Sequence, residues 1–126
     1  MNMVDQEIIF KKVLDACFKV HKALGTGLLE NAYEVCLAYE LRQMGLSVRT
    51  QVPLPLKYGE VTLDAGYKVD ILVEESIILE LKVVDEFNPV HLAQILTYLK
   101  LSGNRLGLLV NFNVKLLKYG LKRVVL

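Results

Sequence analysis

Residues 68–82, KVDILVEESIILELK, decide the fold, because they predict two adjoining strands joined by a short turn. Both strands are rich in Val, Ile and Leu, a composition typical of buried strands. Three charged residues nevertheless lie inside them, Asp70 in the first strand and Glu80 and Lys82 in the second. Residues two apart in a strand share a face, so Glu80 and Lys82 point the same way. Because a buried charge is costly, these residues need a partner, a metal ion or a chemical role.

The length of the turn decides whether the two carboxylates are neighbours. If the connection is the three residues 74–76, EES, then Val73 pairs with Ile77 and Asp70 falls directly opposite Glu80. A two-residue turn would put the carboxylates on opposite faces of the sheet unless a bulge corrected the register. We predict the three-residue connection, which brings two carboxylates and the neighbouring amine together.

Two carboxylates held this close repel each other, and the pKa of one rises unless a cation lies between them. A hard divalent ion such as Mg²⁺ or Mn²⁺ suits carboxylate oxygens, and the carbonyl of Leu81 is a further candidate ligand. Lys82 would then orient a water molecule or stabilise negative charge on a phosphate. The alternative is a buried salt bridge from Lys82 to Asp70 or Glu80, which leaves one carboxylate unpaired. We favour the metal site.

Around this pair of strands, apolar periodicity and turn residues predict the remaining elements. Predicted helices cover residues 5–23, 28–44 and 89–101, the last with Asn88 as its N-cap and Pro89 at its first position. Predicted strands cover residues 47–58, 61–73, 77–84 and 106–110, followed by a strand or hairpin within 114–126. Gly66 is a candidate bulge.

The strand at 47–58 is predicted to lie at an edge of the sheet or to contain an irregular part. Its prolines, Pro53 and Pro55, cannot donate hydrogen bonds to a neighbouring strand. The shared parity of its apolar residues predicts one apolar face, formed by Val48, Val52, Leu54 and Leu56.

From residue 28 the elements follow the order α, β, β, β, α, β, with one helix in front and one strand behind. A meander followed by a crossover helix gives an α/β fold with a mixed sheet flanked by helices. With no linker or repeat among its 126 residues, the chain is predicted to form a single domain, residues 1–126.

Composition argues against several classes of protein. A net charge of +1 argues against a strongly basic, histone-like DNA binder, although a local basic patch is compatible with it. No apolar run reaches the roughly 18 residues of a membrane span, and the N-terminus lacks the pattern of a signal peptide. Cys17 and Cys36 lie in different predicted helices without CxxC spacing, so zinc is not expected. We expect two reduced cysteines in a cytoplasmic protein with no membrane partner.

The charged residues also resemble a known motif. Asp70 followed by Glu80-Leu81-Lys82 is similar to the D…(D/E)-x-K signature of the PD-(D/E)XK nuclease superfamily, with Val69 in place of the proline in the name. The predicted αβββαβ order resembles the restriction-endonuclease-like core of that superfamily. The resemblance implies a Mg²⁺- or Mn²⁺-dependent nuclease that hydrolyses DNA phosphodiester bonds. It implies that Asp70 and Glu80 bind the metal and that Lys82 positions the attacking water.

Two further stretches resemble narrower families. GLLENAY, residues 27–33, is similar to the signature of the bacterial GxxExxY family of small proteins, with Gly27, Glu30 and Tyr33 at the named positions. That similarity extends over nearly the whole chain. QILTY, residues 94–98, resembles the Q-x-x-x-Y helix of nucleases from the helicase–nuclease recombination branch.

The resemblance implies roles for these residues, and each role has a structural alternative. Glu30 would complete the metal site with the two strand carboxylates, whereas the helix dipole alone explains an acid in the first helical turn. Glu34, one turn further along, is a second acidic candidate on the same stripe. Gln94 and Tyr98 would be catalytic residues that contact the site or the substrate phosphate, or else an ordinary helix surface. Tyr33 is expected to pack.

The expected function is a choice between two classes of protein. One is the nuclease, and the other is a catalytically inactive nucleic-acid-binding or regulatory protein on the same scaffold, since the superfamily includes members that no longer cleave. The intact Asp70, Glu80 and Lys82 favour the enzyme. Small nucleases of this fold that resemble Holliday-junction resolvases act as dimers, which implies DNA and a second copy of the chain as partners.

Overall fold

The computed structural model describes residues 2–126, and its three α-helices lie close to their predicted positions. The α-helices are α1 (Met3–Leu24), α2 (Glu30–Gln43) and α3 (Pro89–Ser102). The strands are β1 (Val48–Pro53), β2 (Leu56–Tyr58), β3 (Val61–Leu63), β4 (Lys68–Val73), β5 (Ile77–Lys82), β6 (Leu106–Asn111) and β7 (Leu121–Val125). A 3₁₀ turn, Leu117–Tyr119, precedes the last strand.

Five of these strands form one mixed sheet in the spatial order β1-β4-β5-β6-β7. Strands β5 and β6 run parallel, because α3 carries the chain back between them, and the other neighbours in this sheet are antiparallel. The predicted fold class is therefore confirmed. It is a mixed α/β sheet flanked by helices, with an added N-terminal helix and C-terminal strand, consistent with a restriction-endonuclease-like fold. Strand β1 lies at one edge, as its prolines predict.

Side-chain caps fix where the first and last α-helices begin. The Asn2 side chain accepts a hydrogen bond of 2.9 Å from the backbone N–H of Asp5 at the start of α1. At the start of α3, Asn88 and His91 form the reciprocal bonds of a capping box, and Pro89 occupies the first position. The predicted N-cap of α3 is thereby confirmed. None of the helices in residues 2–126 is long and apolar enough to cross a membrane.

The two faces of the sheet carry separate apolar cores. Helices α1 and α2 cover one face, where their apolar side chains join a core that includes Leu79 of β5. Helix α3 covers the other face, where Ile95 belongs to the same core as Ile78. Glu80 and Lys82 share the strand parity of Ile78, so both lie on the side of the sheet that faces α3.

The predicted strand at 61–73 is wrong, because it consists of two strands, β3 and β4, that belong to different sheets. Gly66 lies in the break with a φ of +80°, and its N–H is bonded to the Asp64 side chain rather than to a neighbouring strand. A similar break at Pro55 separates β1 from β2, because proline has no N–H to offer a ladder. Strands β2 and β3 form a separate hairpin with mostly exposed side chains.

The predicted single apolar face of the first strand is also wrong. Val48 packs in the core beneath α1 and α2, whereas Val52 and Leu54 pack in the core beneath α3. The reversal occurs at Gln51, whose backbone has a left-handed φ of +51°. Pairing between β1 and β4 is regular on either side of this residue and skips it. A left-handed residue turns the strand over, so positions of equal parity point to opposite sides before and after it.

Replacement of Gly120 by alanine is expected to destabilise the fold by about 3 kcal/mol, because the new Cβ would collide with the backbone carbonyl of Asn111. The new Cβ would also lie only 2.8 Å from Val114 Cγ2. The backbone bond of 2.7 Å from Asn111 N–H to the Gly120 carbonyl leaves little room to relax. Urea unfolding would measure the change.

Gly59→Ala is the matched control for that substitution. A Cβ at Gly59 would meet nothing within 4 Å, and only its φ of +58° opposes alanine. The control is expected to cost about 1 kcal/mol, the usual penalty of a left-handed alanine. Equal destabilisation by the two substitutions would contradict the steric explanation.

Candidate active site

The turn between β4 and β5 has the predicted length. Val73 pairs with Ile77, and the regular ladder continues to the pair Ile71–Leu79. Inside the turn, the backbone N–H of Ser76 donates to the carbonyl of Val73 over 3.0 Å. The predicted register is therefore confirmed, and the next pair along the two strands is Asp70 and Glu80.

At Asp70 and Glu80 the side chains replace the backbone ladder. The N–H of Leu81 donates to Asp70 Oδ2 over 2.8 Å, and the N–H of Asp70 donates to Glu80 Oε1 over 3.2 Å. Each carboxylate is thus fixed by the backbone of the opposite strand. The two acidic groups lie side by side at the point where the β4–β5 ladder ends.

Glu80 is an almost fully buried acid, with 2% of its surface exposed. Burial, followed by the negative charge of Asp70, raises its pKa from 4.5 to about 9, and the positive charge of Lys82 offsets only part of that rise. The carboxylate pair therefore holds a proton at neutral pH unless a cation binds. A divalent metal ion bound by the two carboxylates would supply the positive charge that keeps both of them ionised.

Lys82 is joined to helix α3 by a chain of hydrogen bonds. Its Nζ donates to Gln94 Oε1 over 3.0 Å, and Gln94 Nε2 donates to the hydroxyl of Tyr98 over 3.1 Å. Among residues 2–126, no salt bridge links Lys82 to either strand carboxylate. The alternative of a buried salt bridge is therefore wrong for this structure, and the amine is held beside the carboxylates by a neutral partner.

Tyr98 and Tyr67 form one wall of an open cleft next to these hydrogen bonds. The cleft has a volume of about 480 Å³, and Lys82, Gln94 and His91 also line it. The two tyrosine rings are 6.2 Å apart. Burial raises the pKa of Tyr98, and the hydrogen bond from Gln94 counteracts part of that effect. The Lys82 amine therefore opens onto a space that a substrate can enter.

The first turns of helix α2 bring two acids towards the same strands. Glu30 begins the helix and is exposed, yet the protein around its carboxyl group, together with the charge of Asp70, raises its pKa, while Lys82 lowers it. Glu34 is buried, and burial raises its pKa too. The Glu34 carboxylate accepts a hydrogen bond of 2.5 Å from Gln51 Nε2. Both carboxyl groups thus lie close enough to Asp70 for its charge to raise their pKa values.

The donor atoms suit a hard cation that needs few protein ligands. Within residues 2–126, no three His, Cys, Asp or Glu side chains are grouped closely enough to form a complete metal cage. Asp70 and Glu80 supply two carboxylates, and Mg²⁺ in particular is often bound by one or two carboxylates with water and substrate oxygens. The chemistry of the pair therefore fits Mg²⁺ or Mn²⁺. Glu30 as a third ligand stays a prediction.

Tyr33, the last residue of the GLLENAY stretch, has a structural role. It is fully buried, and its ring stacks on Phe112 with the ring centres 4.4 Å apart. Its hydroxyl donates to the carbonyl of Gly25 over 2.6 Å, which ties the loop before α2 to the helix. The expectation that Tyr33 packs is confirmed, and the bond helps to place Glu30 at the start of α2.

Two residues beside the site were not predicted from the sequence. Gln51 bridges Glu34 and Asp70, and nothing in its strand distinguishes it from an ordinary exposed residue. Tyr67 contacts Tyr98 from the segment before β4. An aromatic residue shortly before a motif aspartate is the one signal that could have pointed to it.

Comparisons with known proteins agree with this geometry. A model of the PD-(D/E)XK nuclease superfamily matches residues 7–124, a range that contains every residue of the candidate active site. No curated protein and no solved structure gives a significant match.

Proposed function

The chain belongs to the PD-(D/E)XK nuclease superfamily, and on that premise we propose that it is a metal-dependent nuclease that hydrolyses DNA phosphodiester bonds. The observation that carries the proposal is the pair of the half-buried Asp70 and the buried Glu80, beside a lysine that neither of them neutralises. In a purely structural ion pair, one of the carboxylates would neutralise the amine. Here the amine faces a cleft instead.

In this proposal Asp70 and Glu80 bind Mg²⁺ or Mn²⁺, with Glu30 assisting from helix α2. The bound ion would lower the pKa of a water molecule and neutralise charge on the scissile phosphate. Lys82 orients the attacking water or donates a hydrogen bond to a phosphate oxygen. Gln94 accepts from the lysine and so fixes the direction of its amine, and Tyr98 fixes Gln94.

A cleavage assay tests the proposal. The protein would be incubated with single-stranded, duplex and branched DNA, with Mg²⁺, with Mn²⁺ and with EDTA. We expect products that depend on the metal, and we expect Asp70→Asn to remove them. Asp15→Asn, an exposed change on helix α1, is the matched control and is expected to cleave normally.

Two outcomes would contradict the nuclease. Metal-independent products, or equal cleavage by Asp70→Asn, would show that the activity arises elsewhere. DNA binding without any product would favour the alternative, an inactive nucleic-acid-binding or regulatory protein on the same scaffold.

Narrower assignments accompany the proposal. We propose membership of the GxxExxY family, supported by Gly27, Glu30 and Tyr33 at the positions of its signature, and a single domain over residues 1–126. The two unpaired cysteines, Cys17 and Cys36, support a cytoplasmic location. A homodimer is proposed because a chain of 126 residues has little surface for gripping a duplex, and a monomeric mass in light scattering would contradict it.

A further inference from the structure

Gln51 adopts an unusual backbone conformation in the middle of a strand. Its φ is +51°, a left-handed value that residues other than glycine rarely adopt. The pairs on either side, Thr50–Ile71 and Val52–Val69, are regular. Within β1 the distortion is therefore confined to the position directly opposite Asp70. Strain held at a single position next to a reactive group points to a function for that residue.

The distortion turns the Gln51 side chain towards two carboxylates. Its Nε2 lies 2.5 Å from Glu34 Oε1 and 3.4 Å from Asp70 Oδ1. A primary amide has two N–H donors on this nitrogen, so one amide can serve both acids. The shorter bond is to Glu34, which is buried and held by helix α2. The helix therefore anchors the amide, and the amide reaches Asp70.

The two oxygens of Asp70 are contacted from opposite sides. The N–H of Leu81 holds Oδ2 at 2.8 Å, and Gln51 lies on the side of Oδ1. A carboxylate oxygen has more than one lone pair, so both contacts leave capacity for a cation. Contacts on both oxygens restrict rotation of the Asp70 carboxylate. A carboxylate loses this rotational freedom when it binds a metal ion, so restricting it beforehand favours binding.

We infer that Gln51, anchored by Glu34, is a positioning residue that holds the Asp70 carboxylate ready for the metal ion. The inference rests on the proposed function, because it needs Asp70 to be a ligand. Partners that orient a metal ligand typically change metal affinity or activity 10- to 100-fold when they are removed. Glycine adopts the same backbone conformation without strain, so Gln51→Gly removes the side chain without a backbone penalty.

Titration calorimetry of the full chain with Mn²⁺, in the absence of DNA, tests this role. Gln51→Gly is expected to weaken Mn²⁺ binding about 10- to 100-fold. Its thermal midpoint in EDTA is expected to stay close to that of the wild type, because the relief of backbone strain offsets the lost hydrogen bond to Glu34. Gln51→Asn tolerates the same backbone but is one methylene too short, so it is expected to weaken binding likewise. Thr50→Gly, on the adjacent exposed and regular position, should bind Mn²⁺ normally.

A double-variant cycle adds a test of the anchor. If Glu34 acts through Gln51, then Glu34→Ala combined with Gln51→Gly should bind Mn²⁺ no more weakly than the weaker single variant. Full additivity would overturn the anchoring role.

Other results separate the inference from the function on which it rests. Wild-type protein that binds Mn²⁺ and cleaves DNA, with Gln51→Gly unchanged in both, would overturn the positioning role alone. Wild-type protein that neither binds Mn²⁺ nor cleaves DNA would overturn both.

Discussion

Glu80→Gln is expected to abolish DNA cleavage and, in the absence of metal, to stabilise the protein. Glutamine keeps the shape of the acid and the oxygen that accepts from the Asp70 N–H. It cannot supply a charged ligand to a divalent ion. Loss of one of two carboxylate ligands removes several kcal/mol of metal-dependent stabilisation, so the cleavage rate should fall about 1,000-fold or more.

The gain in stability follows from the pKa of Glu80. The unfolded chain releases this proton near pH 4.5, whereas the folded chain keeps it to about pH 9. Between these values the unfolded state binds fewer protons, so stability falls as the pH rises through that range. At pH 7 the penalty is about 3 kcal/mol, since each pKa unit corresponds to about 1.4 kcal/mol. Glutamine does not titrate and avoids this penalty.

Urea unfolding in EDTA at pH 7 and at pH 4 would measure the effect. The advantage of Glu80→Gln should be largest at the higher pH and close to zero at the lower one. Glu86→Gln, an exposed acid in the loop after β5, is the control and should change neither stability nor cleavage. A Glu80→Gln variant that is less stable than the wild type at pH 7 would contradict the described electrostatics.

Lys82→Met is expected to slow cleavage about 100- to 1,000-fold, the usual effect of removing a group that stabilises charge in the transition state. Methionine keeps much of the length of the side chain and removes only its charged donor. Because Lys82 is not a metal ligand, Mn²⁺ affinity measured by calorimetry should remain near the wild-type value. Slow cleavage with normal Mn²⁺ affinity distinguishes Lys82→Met from Glu80→Gln, which is expected to lose both cleavage and Mn²⁺ binding.

Lys100→Met is the matched control for this substitution, because Lys100 is an exposed lysine in the last turn of α3. It should cleave at close to the wild-type rate. If both lysine variants lost activity equally, or if Lys82→Met also lost Mn²⁺ binding, Lys82 would not have the separate role proposed for it.

The central prediction succeeded because it rested on turn length, which is a local property. Three residues between Val73 and Ile77 determine the pairing of every residue back to Asp70, and no distant contact can change that count. The cap at Asn88 was predictable for the same reason, since the Asn-Pro pair specifies a helix start by itself. The shared face of Glu80 and Lys82 then follows from the two-residue period of a strand.

The conformation of Gln51 was not predictable, because the residue that its side chain contacts lies in another part of the chain. The amide is drawn to Glu34, seventeen positions earlier on a helix, and that contact needs the assembled sheet. Apolar parity along β1 therefore predicted one continuous face and missed the reversal. The break at Gly66 was missed in a related way, because one glycine in an apolar run is compatible with either a bulge or a chain that leaves the sheet.

The bonds at the end of the β4–β5 ladder bear on how related sequences should be interpreted. Asp70 and Glu80 each accept a hydrogen bond from the opposite backbone, so each supports the sheet as well as any chemistry. A descendant that had lost its activity would still gain from an oxygen at both positions. The Lys82 amine, whose partner is a side chain, gives the backbone no such support. We therefore expect inactive relatives to lose the lysine before they lose either carboxylate. The presence of the lysine is the better indicator that a relative is an active enzyme.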